Sequence, residues 1–173
     1  MYQSFEENKK YMSDLLHVNE SFDIVSRDVL IGDKNAVFYF VDGFCKDDLM
    51  QKLLQFLMSL KADDMPQNAQ GLNLLMPYVE VDLTKDFNEI AKNVLCGVFA
   101  VMIEGFDDCI LIDSRTYPAR GVSEPEKDKV LRGSKDGFVE TIVFNTALIR
   151  RRIRSTDLRM EMLSAGKASK TDI

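Results

Sequence analysis

The chain has 173 residues, 46% of them hydrophobic and 29% charged, with a formal net charge of -6 from 22 Lys and Arg against 28 Asp and Glu. That length suits one domain that buries roughly 70% of its unfolded surface, and the composition is that of a folded protein, not a disordered one. The acidic balance disfavours a polyanion-binding role, and the longest apolar run, VLCGVFAVMI at 94–103, is far short of the ~20 residues that cross a bilayer.

In chain order, SFEENKKYMSDLLHV spaces Phe5, Tyr11 or Met12, and Leu15 or Leu16 by threes and fours, which predicts an amphipathic helix over about 3–17 with His17 at its end. FDIVSRDVLIGDKNAVFYFVDG alternates on either side of Gly32-Asp33-Lys34-Asn35, the mark of a β-hairpin. KDDLMQKLLQFLMSLK predicts a second helix with a stripe of Leu49, Leu53, Phe56 or Leu57, and Leu60, and Met50, Met58 and Met65 read as core filler. The two prolines and the glycine of 61–77 predict a loop with at most one short helix, and YVEVDL a short strand. Thr84 is the expected cap of a helix with Phe87, Ile90, Ala91, Val94 and Leu95 inward and Gly97 at its end. VFAVMIEGFDDCILIDSR is the clearest hairpin, apolar on both faces as in strands covered on both sides. A long polar connector over 116–136 follows, then a helix over about 137–153, then a strand and the start of its return. Adjacent pairs of strands separated by helices predict a layered α+β domain with a small mixed or antiparallel sheet.

The last helix carries the sharpest question, because it ends in Arg150, Arg151, Arg152 and Arg154. Asp136 is the expected N-cap, and Phe138, Ile142, Asn145, Ile149 and Ile153 the expected inward side, widened by Val139, Val143 and Ala147. Three consecutive arginines fan over much of a helix circumference, so they form no flat grip on a nucleic acid. Cations there complement the helix dipole and bond its last carbonyls, and the chain's many carboxylates offer bidentate partners. A structural or interface role is therefore the favoured reading, ahead of an anion site or nucleic-acid binding.

Catalytic signatures are missing. There is no phosphate loop, no G-x-G-x-x-G, no G-x-S-x-G and no H-E-x-x-H, and the single His17 is a poor centre for a triad. Cys45, Cys96 and Cys109 lack paired spacing and sit in or beside apolar runs, so they read as reduced buried thiols and not as metal ligands. The N-terminus has no signal-peptide core, and the chain ends in SAGKASKTDI without a helix stop or tail composition, which reads as a fragment of something longer.

The block YPARGVSEPEKDKVLRGSKDGFVETIVFNTALIRRRIRSTDLRMEMLSAGKASKTDI resembles the signature of the GerA-type spore germination receptor A-subunit family, through Glu124-Pro125-Glu126, Val130-Leu131-Arg132-Gly133, Asp136-Gly137-Phe138, Glu140, Asn145 and Leu148 to Arg152. The part from Asn19 to Phe56 is most similar to the stage V sporulation AF branch of that family. The resemblance implies a first soluble subdomain, residues 1–173, of a longer membrane protein, with 116–136 as a connecting loop and 164–173 leading toward a second subdomain. It implies a non-enzymatic role on the core side of the inner spore membrane, in assembly and signal transmission of a germination complex that releases ions. The implied partners are other receptor subunits and the membrane-embedded part of the same chain, with homo-oligomerisation in the full-length form; no cofactor, metal or nucleic acid is implied. The interface or binding candidates are Glu124, Glu126, Arg132, Gly133, Asp136, Glu140, Asn145, Arg150, Arg151, Arg152 and Arg154. The alternative is a small-molecule (germinant) binding domain with its pocket inside this segment.

Overall fold

A computed structural model describes residues 1–2, 4–45, 47–77, 80–117 and 137–173. Its centre is a five-stranded sheet of β1 (Ile24–Ile31), β2 (Lys34–Val41), β3 (Val81–Thr84), β4 (Phe99–Ile103) and β5 (Cys109–Ile112), in the spatial order β1-β2-β4-β5-β3 with every pairing antiparallel. The two long apolar runs, β4 and β5, are buried at every position, as central strands with both faces covered must be.

Because strand side chains alternate, the sheet divides its residues between two cores. Val37, Tyr39, Val41, Ala100, Met102, Cys109 and Leu111 point to one face, where Met12 and Leu16 of α1 (Phe5–Leu16) and Ile90, Ala91, Val94 and Leu95 of α4 (Phe87–Leu95) cover them. Phe38, Phe99, Val101, Ile103, Ile110 and Ile112 point to the other, under Leu53 and Leu57 of α2 (Asp47–Ser59) and Ala69 and Leu72 of α3 (Ala69–Leu75). Each fully buried aliphatic or aromatic side chain contributes about 1.5–3 kcal/mol, so the two cores together hold the layers without help from metal or disulfide. None of the three cysteines is in a disulfide.

Local chemistry explains the joins. The β1–β2 hairpin turns on Gly32 and Asp33, both at positive φ (54° and 64°), the geometry of a two-residue turn that matches strand twist. A side chain at Gly32 would also press on Met65, whose Cβ lies 3.0 Å from the Cβ position. Asp86, not Thr84, caps α4, its Oδ1 accepting from Asn88 N at 2.9 Å. The expected loop at 61–77 holds a 3-10 turn (Ala62–Asp64) as well as α3, which Asn68 caps through Gly71 N at 2.8 Å. Met65 is core and Met50 packs beside it, but Met58 is 55% exposed and fills nothing.

Beyond the connector, α5 (Ile142–Arg152) begins four to five residues later than the periodicity predicts. Thr141 stands at its N-cap, and the expected cap, Asp136, lies outside the described residues. The chain ends in a small hairpin of β6 (Ser164–Ala165) and β7 (Thr171–Asp172), the strand and return foreseen there.

Candidate functional site: a buried arginine junction

The inward side of α5 is not the one that apolar spacing selects. Thr146, Ala147 and Arg150 are buried, whereas Phe138 and Ile153 are 69% and 49% exposed. Two contacts set this rotation. Gly43 lets the helix approach closely, since a Cβ there would lie 3.1 Å from Val143 Cγ1 and 3.3 Å from Ala147 Cβ. Arg150 then fixes the phase by turning inward to a partner.

Arg150 has no exposed side-chain surface, and Asp23, at the start of β1, exposes 1%. Arg150 Nε donates to Asp23 Oδ2 at 2.7 Å and Nη2 donates to Oδ1 at 3.0 Å, the bidentate pairing that a planar guanidinium makes and an ammonium cannot. Nη2 also donates to Ser21 Oγ at 3.2 Å and to Leu158 O at 3.0 Å, and Nη1 donates to Ser155 O at 3.0 Å. Ser21 Oγ in turn donates to Asp23 Oδ1 at 2.6 Å and accepts from Met160 N at 3.0 Å, while Phe22 N donates to Met160 O at 2.9 Å. One side chain thus joins three pieces of chain: the end of α5, the turn before β1, and a strap over 155–160, turned at Thr156-Asp157, that leads to the terminal hairpin. Every buried polar side-chain atom among the described residues has a partner, which is what a buried charge pair requires.

The neighbouring candidates serve the same helix. Arg151 places its guanidinium carbon 4.5 Å from the Tyr117 ring centroid; that ring meets Phe44 edge-on at 5.2 Å, and its hydroxyl donates to Cys96 O at 2.8 Å. Asn145 clamps the peptide of Val139, accepting from its N–H and donating to its C=O, both at 2.7 Å. The described ends of the 116–136 connector, Tyr117 and the segment after Gly137, are therefore both seated on α5. Just before it, Arg115 forks onto Asp113 and holds that carboxyl below the usual carboxylate range. Arg154 Nε donates to Arg151 O at 3.2 Å, answering a helix-end carbonyl as expected of a cation there. Arg152 is exposed, and Glu140 is exposed at the bend before the helix. Glu124, Glu126, Arg132, Gly133 and Asp136 lie outside the described residues.

These groups do not converge on a cleft. Among the described residues, one open groove of about 390 Å³ is lined by Tyr2, Glu7, Lys10, Tyr11 and Asp14, and another of about 260 Å³ lies between 18–22 and 160–162. Neither is lined by Arg150 to Arg154. His17 ends α1 in the left-handed region, with Nδ1 3.3 Å from Glu20 Oε1 and Nε2 3.4 Å from Arg159 Nη2, a surface cluster with no nucleophile. Among the described residues no group of three His, Cys, Asp or Glu is placed to hold a metal ion, and no helix is long and apolar enough to cross a membrane. Sequence reasoning missed Ser21, Asp23, Gly43 and Tyr117. No local pattern marks them, since their partners are far along the chain.

The layered α+β fold is shared with the crystal structure of the N-terminal domain of the A subunit of the Bacillus megaterium spore germinant receptor GerK3, which superposes with a TM-score of 0.72 over 99% of this chain and 63% of that one, at 24% identity. The family follows from sequence: the model of the Bacillus/Clostridium GerA spore germination protein matches residues 10–173, and the chain belongs to the GerA family. Stage V sporulation protein AF of Bacillus subtilis (strain 168) is 35% identical over 175 residues, covering 100% of this chain and 36% of that protein. Spore germination protein KA of the same organism is 24% identical, covering 90% of this chain and 30% of that protein, and the uncharacterized membrane protein YfkQ is 27% identical, covering 87% and 30%. The resemblance read from 117–173, and the branch read from Asn19 to Phe56, are both borne out. The chain spans about a third of the length of these curated relatives.

Proposed function

We propose that this chain is a non-enzymatic N-terminal domain of a GerA-family germination protein, acting on the core-facing side of the inner spore membrane in assembly and signal transmission. Its partners are other receptor subunits and the membrane-embedded part of the same protein. The observation that carries the reading is the Arg150 junction: a wholly buried guanidinium spent on holding α5 and the 155–160 strap in one orientation, not on a ligand. A rigidly held helix and strap are what an assembly surface needs, because ordering costs are met before the partner arrives.

The terminal hairpin supports the same division of labour. A lone ribbon of strands this short is marginal in water, and Leu163 and Ile173 flank it at 52% and 60% exposure. We read 1–173 as the first subdomain, with 164–173 as the start of the link to a second subdomain that would cover these side chains. The germinant-pocket alternative gains nothing from the two open grooves, since a small-molecule site buries most of its ligand.

The test is Arg152→Glu in the full-length protein, an exposed position on α5, with thermal unfolding of the purified chain as the control for folding. Co-purified receptor subunits should fall severalfold while the unfolding temperature holds. Recovery of subunits at the wild-type level would refute the assembly reading.

A further inference from the structure

Charge is unevenly distributed along this chain. Residues 1–117, which build the sheet and its four covering helices, carry 10 Lys and Arg against 20 Asp and Glu, whereas residues 137–173 carry 7 against 4. An acidic body therefore bears one cationic end. On the outward side of α5, Phe144, Leu148 and Arg151 follow at i, i+4 and i+7, a stripe apolar at its first two positions and basic at its third, with Arg152 set about 100° around the helix from it. Phe138 (69% exposed) leads into this stripe and Ile153 (49% exposed) and Arg154 trail it, with Phe144 itself 47% exposed.

We infer that this face of α5 docks on an anionic lipid surface, its arginines among the headgroups and Phe144 at the acyl boundary. Three features favour a membrane over a protein or a free anion. The side chains stand on the convex outside of a helix, and neither groove found among the described residues is lined by them, so the face suits a flat surface better than a peptide. The arginines diverge around the helix end and cannot close on one phosphate, but a sheet of headgroups offers an anion to each. Exposed aromatic and aliphatic side chains beside arginine are the composition of an interfacial helix, which lies in the surface without spanning it. The acidic balance of residues 1–117 favours an approach by the basic 137–173 end to a negative plane. The Arg151 guanidinium also packs over the Tyr117 ring, its carbon 4.5 Å from the ring centroid. The inference stands on charge and exposure, and does not depend on a role in germination.

Sedimentation of the chain with phosphatidylcholine vesicles, with and without phosphatidylglycerol, tests it. Binding should appear only with the anionic lipid and fade at high salt. Arg151→Ala/Arg154→Ala should lower the partition coefficient roughly thirtyfold, Arg154→Ala alone and Phe144→Ser should each lower it less, and Lys61→Ala on another face should leave it unchanged, all at wild-type unfolding temperature. Equal binding to neutral vesicles, no binding to anionic ones, or unaltered binding by the double variant would overturn the inference. A concentration-dependent dimer abolished by the double variant, without lipid binding, would assign the face to a second copy of the chain and overturn it equally.

Discussion

Removing Arg150 perturbs more than one bond. In Arg150→Met the Asp23 carboxylate stays at 1% exposure without its counter-charge, Ser155 O and Leu158 O lose their donor, and the aliphatic stem is only partly replaced. Breaking a buried pair from one side costs about 3–5 kcal/mol, chiefly through the uncompensated charge, against a total stability of roughly 5–15 kcal/mol for a domain. At this chain length each kcal/mol moves the unfolding midpoint by about 2–4 °C, so the variant should melt on the order of 10 °C lower. Asp23→Asn leaves the Arg150 guanidinium buried without its counter-charge and should cost a similar amount, about 3–5 kcal/mol. The double variant Asp23→Asn/Arg150→Met should be less destabilised than the sum of the two by at least about 1 kcal/mol. Urea denaturation followed by helical circular dichroism measures all four species. A loss under about 0.5 kcal/mol in Arg150→Met, or strict additivity in the cycle, would mean that the junction does not hold α5.

Other positions give independent checks. Gly43→Ala puts a β-carbon at φ 81° and 3.1 Å from Val143 Cγ1, and should cost about 1–3 kcal/mol in the same denaturation assay; a neutral substitution would contradict the close helix approach. Tyr39 is buried, its hydroxyl donating to Lys9 O at 3.0 Å, and burial pushes its phenol from 10.0 up to about 12. The folded form then keeps the proton longer than the unfolded one, so this contribution is whole below pH 10 and is lost as pH rises to about 12, by roughly 2–3 kcal/mol. Tyr39→Phe should flatten that alkaline slope. Cys109 is fully buried and burial drives its thiol upward, so a thiol reagent should reach the half-buried Cys45 in the native chain and Cys109 only on unfolding. Modification of Cys109 at the rate of Cys45 would place β5 wrongly.

The sheet was legible because its signals are local. Strict alternation around Gly32-Asp33, and two runs apolar on both faces at 99–103 and 109–112, each specify a strand pair without reference to anything distant. The helix faces of α1 and α4 were legible for the same reason. α5 was not. Periodicity credits Phe138, Ile149 and Ile153 to the inside because they are apolar, yet the helix turns on Arg150, whose partner Asp23 lies 127 residues away and belongs to a different element. Apolar spacing has no means of pairing a buried charge across the chain. The helix start was misplaced for a related reason: Asn145 bonds the Val139 peptide and holds 137–140 outside the helix, a competition between side chain and backbone that propensity does not register. Which of the arginines is buried could only come from the fold.

The germination kinetics of spores carrying Arg152→Glu in the full-length protein bear most directly on the central claim, that α5 held by Arg150 presents an assembly surface. With the protein folded and present at wild-type abundance, germination should slow severalfold and the membrane complex should lose its partner subunits. Spores that germinate at the parental rate with that substitution would show that α5 is only a packed helix and that assembly runs through some other face.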